Sequence, residues 1–197
     1  MYSKFKMSFL YHAIVLACIS LVYSSCSSKN NAQGIKKTKG SYFSIQQYAR
    51  DQFSMNKGIP YGFHKISNVN GKKDTVVQNF NTVDWPTVFK LFFETDISDK
   101  KFLGHYNFSQ FDDSATQSRN YYYEAKEDYL ETRKLLISTD PTNNKVVSIY
   151  IEYEKKGLFK SENRKLFYIP LKVIQIQQFK KALWQDPVNI VTEYEFM

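Results

Sequence analysis

The chain has 197 residues, 43% apolar, 17% aromatic and 23% charged, with a formal charge of +8. The charge is one-sided: seven Lys or Arg precede Asp51, the first acidic residue, whereas residues 51–197 carry 20 basic and 19 acidic side chains. A body of net charge +1 lacks the domain-wide basic footprint that a phosphate backbone requires, so the +8 does not signal a nucleic-acid partner.

Residues 1–25 have the layout of an export signal. Lys4 and Lys6 stand first, an apolar stretch runs from Met7 to Tyr23, and Ser24 and Ser25 precede Cys26. The stretch is broken by Ser8, His12 and Ser20 and falls short of the roughly 20 apolar residues of a spanning helix. With the polar tract Ser27, Ser28, Lys29, Asn30, Asn31 behind it, this order resembles a bacterial lipoprotein signal. The resemblance implies removal of residues 1–25, acylation of Cys26, and a body exported and held on the membrane of the cell envelope. Ser27 stands where some bacteria read an inner-membrane retention aspartate, which by the same resemblance leans toward the outer membrane. The lipobox has an aliphatic residue three before its cysteine. Tyr23 departs from that pattern, whereas Ser24 and Ser25 fit it. Cys18 is the alternative, since Val15-Leu16-Ala17 matches the box better. Acylation there would leave Ile19, Leu21, Val22 and Tyr23 exposed at the mature N-terminus.

Residues 26–40 are polar, lack aromatics and read as a flexible tether. Residues 41–197 read as one domain. With Cys18 removed and Cys26 acylated no thiol is left for a disulfide, so the fold must rely on its core. A chain of this length buries about 68–70% of its unfolded surface, and the 15 Tyr, 16 Phe and two Trp of the whole chain, all but five of them in this body, supply apolar area.

Tyr42, Phe43, Ile45, Tyr48, Ala49 and Phe53 recur at helical spacing and predict a helix over about 41–55, ended by Lys57-Gly58. Tyr61–Val69 and Thr75–Phe80 flank Asn70-Gly71, a hairpin signal. A second helix starts at an Asp84 cap with Pro86 in its first turn, placing Trp85, Val88, Phe89 and Phe92 on one face. Val83 before the cap is positioned to staple onto Val88. Ser98 is a candidate cap for a short turn broken at Gly104. Tyr106, Phe108 and Phe111 fall in a stretch of undefined type, and 112–120 reads as a loop.

From Asn120 the period is two: 120–125, then Glu131–Ser138, then Val147, Ile149, Ile151 and Tyr153 on one face. Residues 155–164 read as a polar turn. Strands over 165–169 and 172–179 are separated by Pro170, which implies an edge or a bulge. A last strand sets Ile190, Thr192, Tyr194 and Phe196 on one face. The whole predicts an α+β fold, two N-terminal helices with a hairpin packed on a C-terminal antiparallel β-meander with one solvated face. Tyr121 through "LLISTDPTNNKVVSIYIEYE" looks like the strand–turn–strand of SmpA/OmlA-type outer-membrane assembly lipoproteins. NTF2-like and cystatin-like sheets fit comparably.

Residues that carry chemistry are sparse. His64 and His105 are the only histidines after the leader, and no HxH, HExxH or CxxC occurs, so no metal or cofactor is expected. Asp96/Asp99 and Asp112/Asp113 are carboxylate pairs that capping and turn formation explain as well as Ca²⁺ or acid–base work does. GxSxG and glycine-rich phosphate loops are missing. The remaining oddity is aromatic. Tyr121, Tyr122, Tyr123 and Tyr150 on strands form a candidate binding surface for an envelope protein or a glycan. The expected function is therefore a membrane-anchored, non-enzymatic binding module. The alternatives are a small-ligand domain with an apolar pocket between sheet and Trp85 helix, and, behind both, a hydrolase built on one of the histidines.

Overall fold

In the computed structural model, which describes residues 42–197, Ser44 opens the first element. The leader, the tether, Cys18 and Cys26 lie outside the described residues. The Ser44 hydroxyl accepts from the Gln47 amide and caps helix α1, Ile45–Asn56, an interaction that contributes about 1 kcal/mol. Lys57 and Gly58 end the helix, the glycine taking φ +90°. Strands β1 (Gly62–Val69) and β2 (Lys72–Asn79) follow, joined at Asn70 (φ 50°) and Gly71 (φ 89°). Both signs are positive, as the hairpin turn demands. Helix α2, Trp85–Phe93, is capped by Asp84 and carries Pro86 in its first turn, with Trp85, Val88 and Phe92 buried.

Seven strands complete the chain: β3 (Tyr106–Asp113), β4 (Ser118–Ala125), β5 (Thr132–Thr139), β6 (Val146–Lys156), β7 (Lys160–Ile169), β8 (Val173–Ala182) and β9 (Val188–Phe196). All nine form one antiparallel sheet in the order β2-β1-β9-β8-β7-β6-β5-β4-β3. Ser41–Met197 is one compact unit.

The α+β reading therefore holds with one correction of organisation. The hairpin is not packed on the meander with the helices. It pairs with β9, seven register positions from Phe63↔Phe196 to Val69↔Ile190, and extends the same sheet. Hydrogen-bonding a hairpin onto the open edge of β9 satisfies backbone groups that packing alone would leave unpaired.

The stretch of undefined type resolves, and two loop readings are corrected. Residues 106–113 are an edge strand, whose exposed residues blur the period of two. The 112–120 loop shrinks to 114–117, because Asp112 pairs with Arg119 across the ladder and β4 begins at Ser118. The 155–164 turn shrinks to 157–159, since Lys155↔Glu162 and Lys156↔Ser161 are ladder pairs. Polar residues on both faces of a projecting hairpin look like loop by composition. Pro170 marks neither an edge nor a bulge. It starts the β7–β8 turn, with Leu171 at φ 54°, between two interior strands.

The helices cover one face of the sheet. Two cross-strand rows form that face: Tyr194–Ile174–Tyr168–Ile149–Ile137–Tyr121, and Ile176–Leu166–Ile151–Leu135–Tyr123–Phe108. Most of these side chains belong to the core together with Ile45, Trp85, Val88 and Phe92. Trp85 donates its indole N–H to the Phe80 carbonyl at 2.7 Å, so its polar atom is paired within the core.

Candidate functional site

The period of two separates the four tyrosines of the predicted surface. Tyr121 and Tyr123 face the helices. Tyr123 is buried, with the Tyr42 ring at 5.3 Å and the Phe108 ring at 5.0 Å, so it is core and not binding surface. Tyr122 and Tyr150 point to the other side, and there the ladder aligns them in one row, Tyr122–Leu136–Tyr150–Phe167. All four side chains are half-buried by their neighbours and open outward. The next row alternates in charge, Glu124–Lys134–Glu152–Lys165. Lys134 Nζ lies 3.3 Å from Glu152, and the Tyr150 hydroxyl donates to the same carboxylate at 2.8 Å. Burial, then this hydrogen bond, pushes the Tyr150 phenol up to about 12, so it stays a neutral donor at physiological pH. Row and rim together make an aromatic strip with a hydrogen-bonding edge, the composition of a contact surface.

Between helices and sheet lies a second feature. A cavity of about 50 Å³ is lined by Tyr48 and Phe53 of α1, Trp85, Phe89 and Phe92 of α2, and Ile149, Tyr168 and Phe196 of the sheet. Burial pushes the Tyr48 phenol up to about 12 and raises Tyr168 further, and the Tyr168 hydroxyl reaches Gln52 Oε1 at 3.4 Å. Over the cavity, a groove of about 740 Å³ runs between α1 and α2 and shares Phe53, Trp85 and Phe89 with it. An engineered apolar cavity of about 150 Å³ holds benzene, so the inner space as it stands takes only a few methylene groups.

The other candidates resolve into structure. Asp96 accepts from the Ser44 hydroxyl (2.8 Å), the Gln46 amide (2.7 Å) and the Ser98 amide (2.7 Å), tying the start of α1 to the end of α2. Asp99, not Ser98, caps the short 3₁₀ turn Lys100–Phe102. Asp112 pairs with Arg119 at 2.9 Å, and Asp113 holds the β3–β4 turn through Ala115 and Thr116. Among the described residues no group of three or more His, Cys, Asp or Glu is placed to hold a metal ion. His64 lies on β1 opposite Glu195. His105 Nδ1 is 3.4 Å from Glu127 and 3.2 Å from the Tyr129 hydroxyl. Glu127 is an orienting carboxylate for the ring, and no serine hydroxyl among the described residues hydrogen-bonds to it.

One polar cluster escaped the sequence. Arg164, 6% exposed, donates from Nη1 to Glu94 at 2.6 Å and from Nε to Glu162 at 2.7 Å, and its guanidinium lies 4.5 Å over the Tyr153 ring. The Tyr153 hydroxyl donates to Glu131 at 2.6 Å, and Lys155 pairs with the same carboxylate at 3.1 Å. The cluster fastens the C-terminal cap of α2 to the middle of the sheet, a positional role. Glu162 at i−2 from Arg164 on a strand was the only local signal, and Glu94 lies 70 residues away.

Comparison with family models, with curated proteins and with solved structures finds no match to this chain. Among the described residues no helix is long and apolar enough to cross a membrane.

Proposed function

We propose that this protein is a non-enzymatic binding module of a bacterial cell envelope. It is tethered through an acylated Cys26 and docks an envelope protein or glycan on the outer face of its sheet. The observation that carries the docking is the Tyr122–Leu136–Tyr150–Phe167 row, which no helix among the described residues covers. Aromatic side chains in a half-desolvated row, rimmed by alternating charges, are the kind that dominate contact energies. Crosslinked pull-down of the native protein from membranes tests it. Replacing Tyr122 and Tyr150 by serine is expected to cut capture of the partner tenfold or more while the thermal transition stays cooperative. Undiminished capture overturns the assignment of that face.

The anchor is tested separately. Metabolic palmitate label is expected to disappear in Cys26→Ser and to persist in Cys18→Ser. The reverse pattern moves the anchor to Cys18, and label in both variants removes it from either cysteine.

A second reading is favoured by one observation, the cavity and groove walled by α1, α2 and the sheet. A small apolar ligand would part the helices at Phe53 and Phe89, whose rings stand 5.4 Å apart across the opening. Its support is weaker, because the enclosed space is about a third of an engineered cavity that holds benzene.

A further inference from the structure

Four large apolar side chains stand in solvent at one end of the sheet. Leu158 and Phe159 form the tip of the β6–β7 hairpin, and Leu183 and Trp184 that of the β8–β9 hairpin. They are 88%, 64%, 52% and 94% exposed. The two tips are one surface, since the Leu183 amide donates to the Phe159 carbonyl at 2.8 Å. Single exposed apolar residues are ordinary, but a group of four on adjacent projecting turns marks an interaction site. None contributes to the core, so folding does not explain them.

We propose that this double tip inserts into the interfacial layer of an anionic lipid bilayer. Charge complementarity selects the occupant. Lys155, Lys156, Lys160, Lys180 and Lys181 sit at the base of the two hairpins, against Glu154, Glu162 and Asp186. Lys155, Lys156 and Lys180 have carboxylate partners, whereas Lys160 and Lys181 have none among the described residues. Lysine stems lie along apolar surface while their ammonium groups reach upward to phosphate. Tryptophan prefers the level of the headgroups.

Part of the tip backbone is paired within the two hairpins, which lowers the cost of an apolar medium for those groups. At the tips the Gly157 amide donates to the Lys160 carbonyl at 2.8 Å and the Gln185 amide to the Ala182 carbonyl at 3.3 Å, beside the bond from Leu183. The inference does not depend on Cys26 or on the outer aromatic row.

The test uses the full chain and reads Trp184 alone, as the difference in emission between wild type and Trp184→Phe. Trp85 is buried and common to both. With phosphatidylglycerol-containing vesicles the Trp184 emission is expected to move to the blue and to be quenched by brominated acyl chains, far more than with phosphatidylcholine alone. The double variant Lys160→Gln, Lys181→Gln is expected to need about 30-fold more anionic lipid for half the shift. Leu158→Asp, at a position that packs against nothing, is expected to abolish the quenching without altering the fold.

Trp184 that stays water-exposed and unquenched while the chain sediments with vesicles overturns the proposal and leaves the lipid anchor standing. Equal response to neutral and anionic vesicles overturns the electrostatic half. Protection of Trp184 only in native membranes, and not in pure lipid, gives the tip to a protein partner. A Cys26→Ser chain that still shows bromolipid quenching of Trp184 supports the insertion whatever becomes of the anchor.

Discussion

Arg164→Ala is expected to lower the unfolding free energy by about 3 kcal/mol at neutral pH, read from urea unfolding. Breaking a buried pair by deleting one partner costs about 3–5 kcal/mol because it strands the other charge. The lower end applies here, since Glu94 and Glu162 keep 35% and 20% of their side-chain surface in water. The deletion also removes the cation from the Tyr153 ring.

The pH dependence separates this from simple loss of packing. The Arg164 guanidinium holds the Glu162 carboxyl below its ordinary value. For Glu131, burial works upward but hydrogen bonds from Tyr153 and Lys155 outweigh it, and the net direction is again down. A carboxylate with a depressed folded value contributes stability above its unfolded value, about 4.3, and loses it as pH falls through the folded one. In Arg164→Ala the stranded carboxylates gain by protonation instead. The gap between wild type and variant is therefore expected to shrink from pH 7 to pH 4. A gap that is flat over that range sinks the ion-network account.

Arg164 also shows where sequence reading stops. Local signals were legible wherever a neighbour in sequence does the work: the Asp84 cap, Asn70-Gly71 with both φ positive, and the alternation of Ile149, Ile151 and Tyr153 into the core. Interactions set by the order of strands were not. Whether β1 pairs with β9 depends on which edge the meander leaves open, and nothing inside "GFHKISNV" encodes that.

The candidate surface was half legible for the same reason. Alternation alone sends Tyr122 away from Tyr121 and Tyr123, but only the register of β4, β5 and β6 places Tyr150 beside Tyr122, with Leu136 between them. One of the two exposed tips was hidden inside a segment read as polar turn. Leu158 and Phe159 sit among lysines there, and their exposure follows from how far β6 and β7 project.

The second large effect belongs to the seam between the two ends of the domain. Phe63→Ala is expected to cost about 4 kcal/mol and to lower the midpoint of thermal unfolding by about 12 °C. Phe63 has no exposed surface and meets Phe196 at 4.6 Å, Trp85 at 5.7 Å and Phe80 at 6.3 Å. It thus joins β1, β9, α2 and the turn after β2 at one point, and the rings around it are too interlocked to collapse into the vacated space. Phe63→Leu keeps part of the volume and is expected to cost less than half as much. Val77→Ala, at a 64% exposed position on the edge strand β2, is expected to stay within about 0.5 kcal/mol. Hydrogen exchange locates the damage. In Phe63→Ala the amides of β1 and β9 are expected to lose protection before those of β5 and β6, because the hairpin's attachment to the meander rests on this contact and on the β1–β9 ladder. Uniform loss across all nine strands would mean that the seam opens only with the whole sheet.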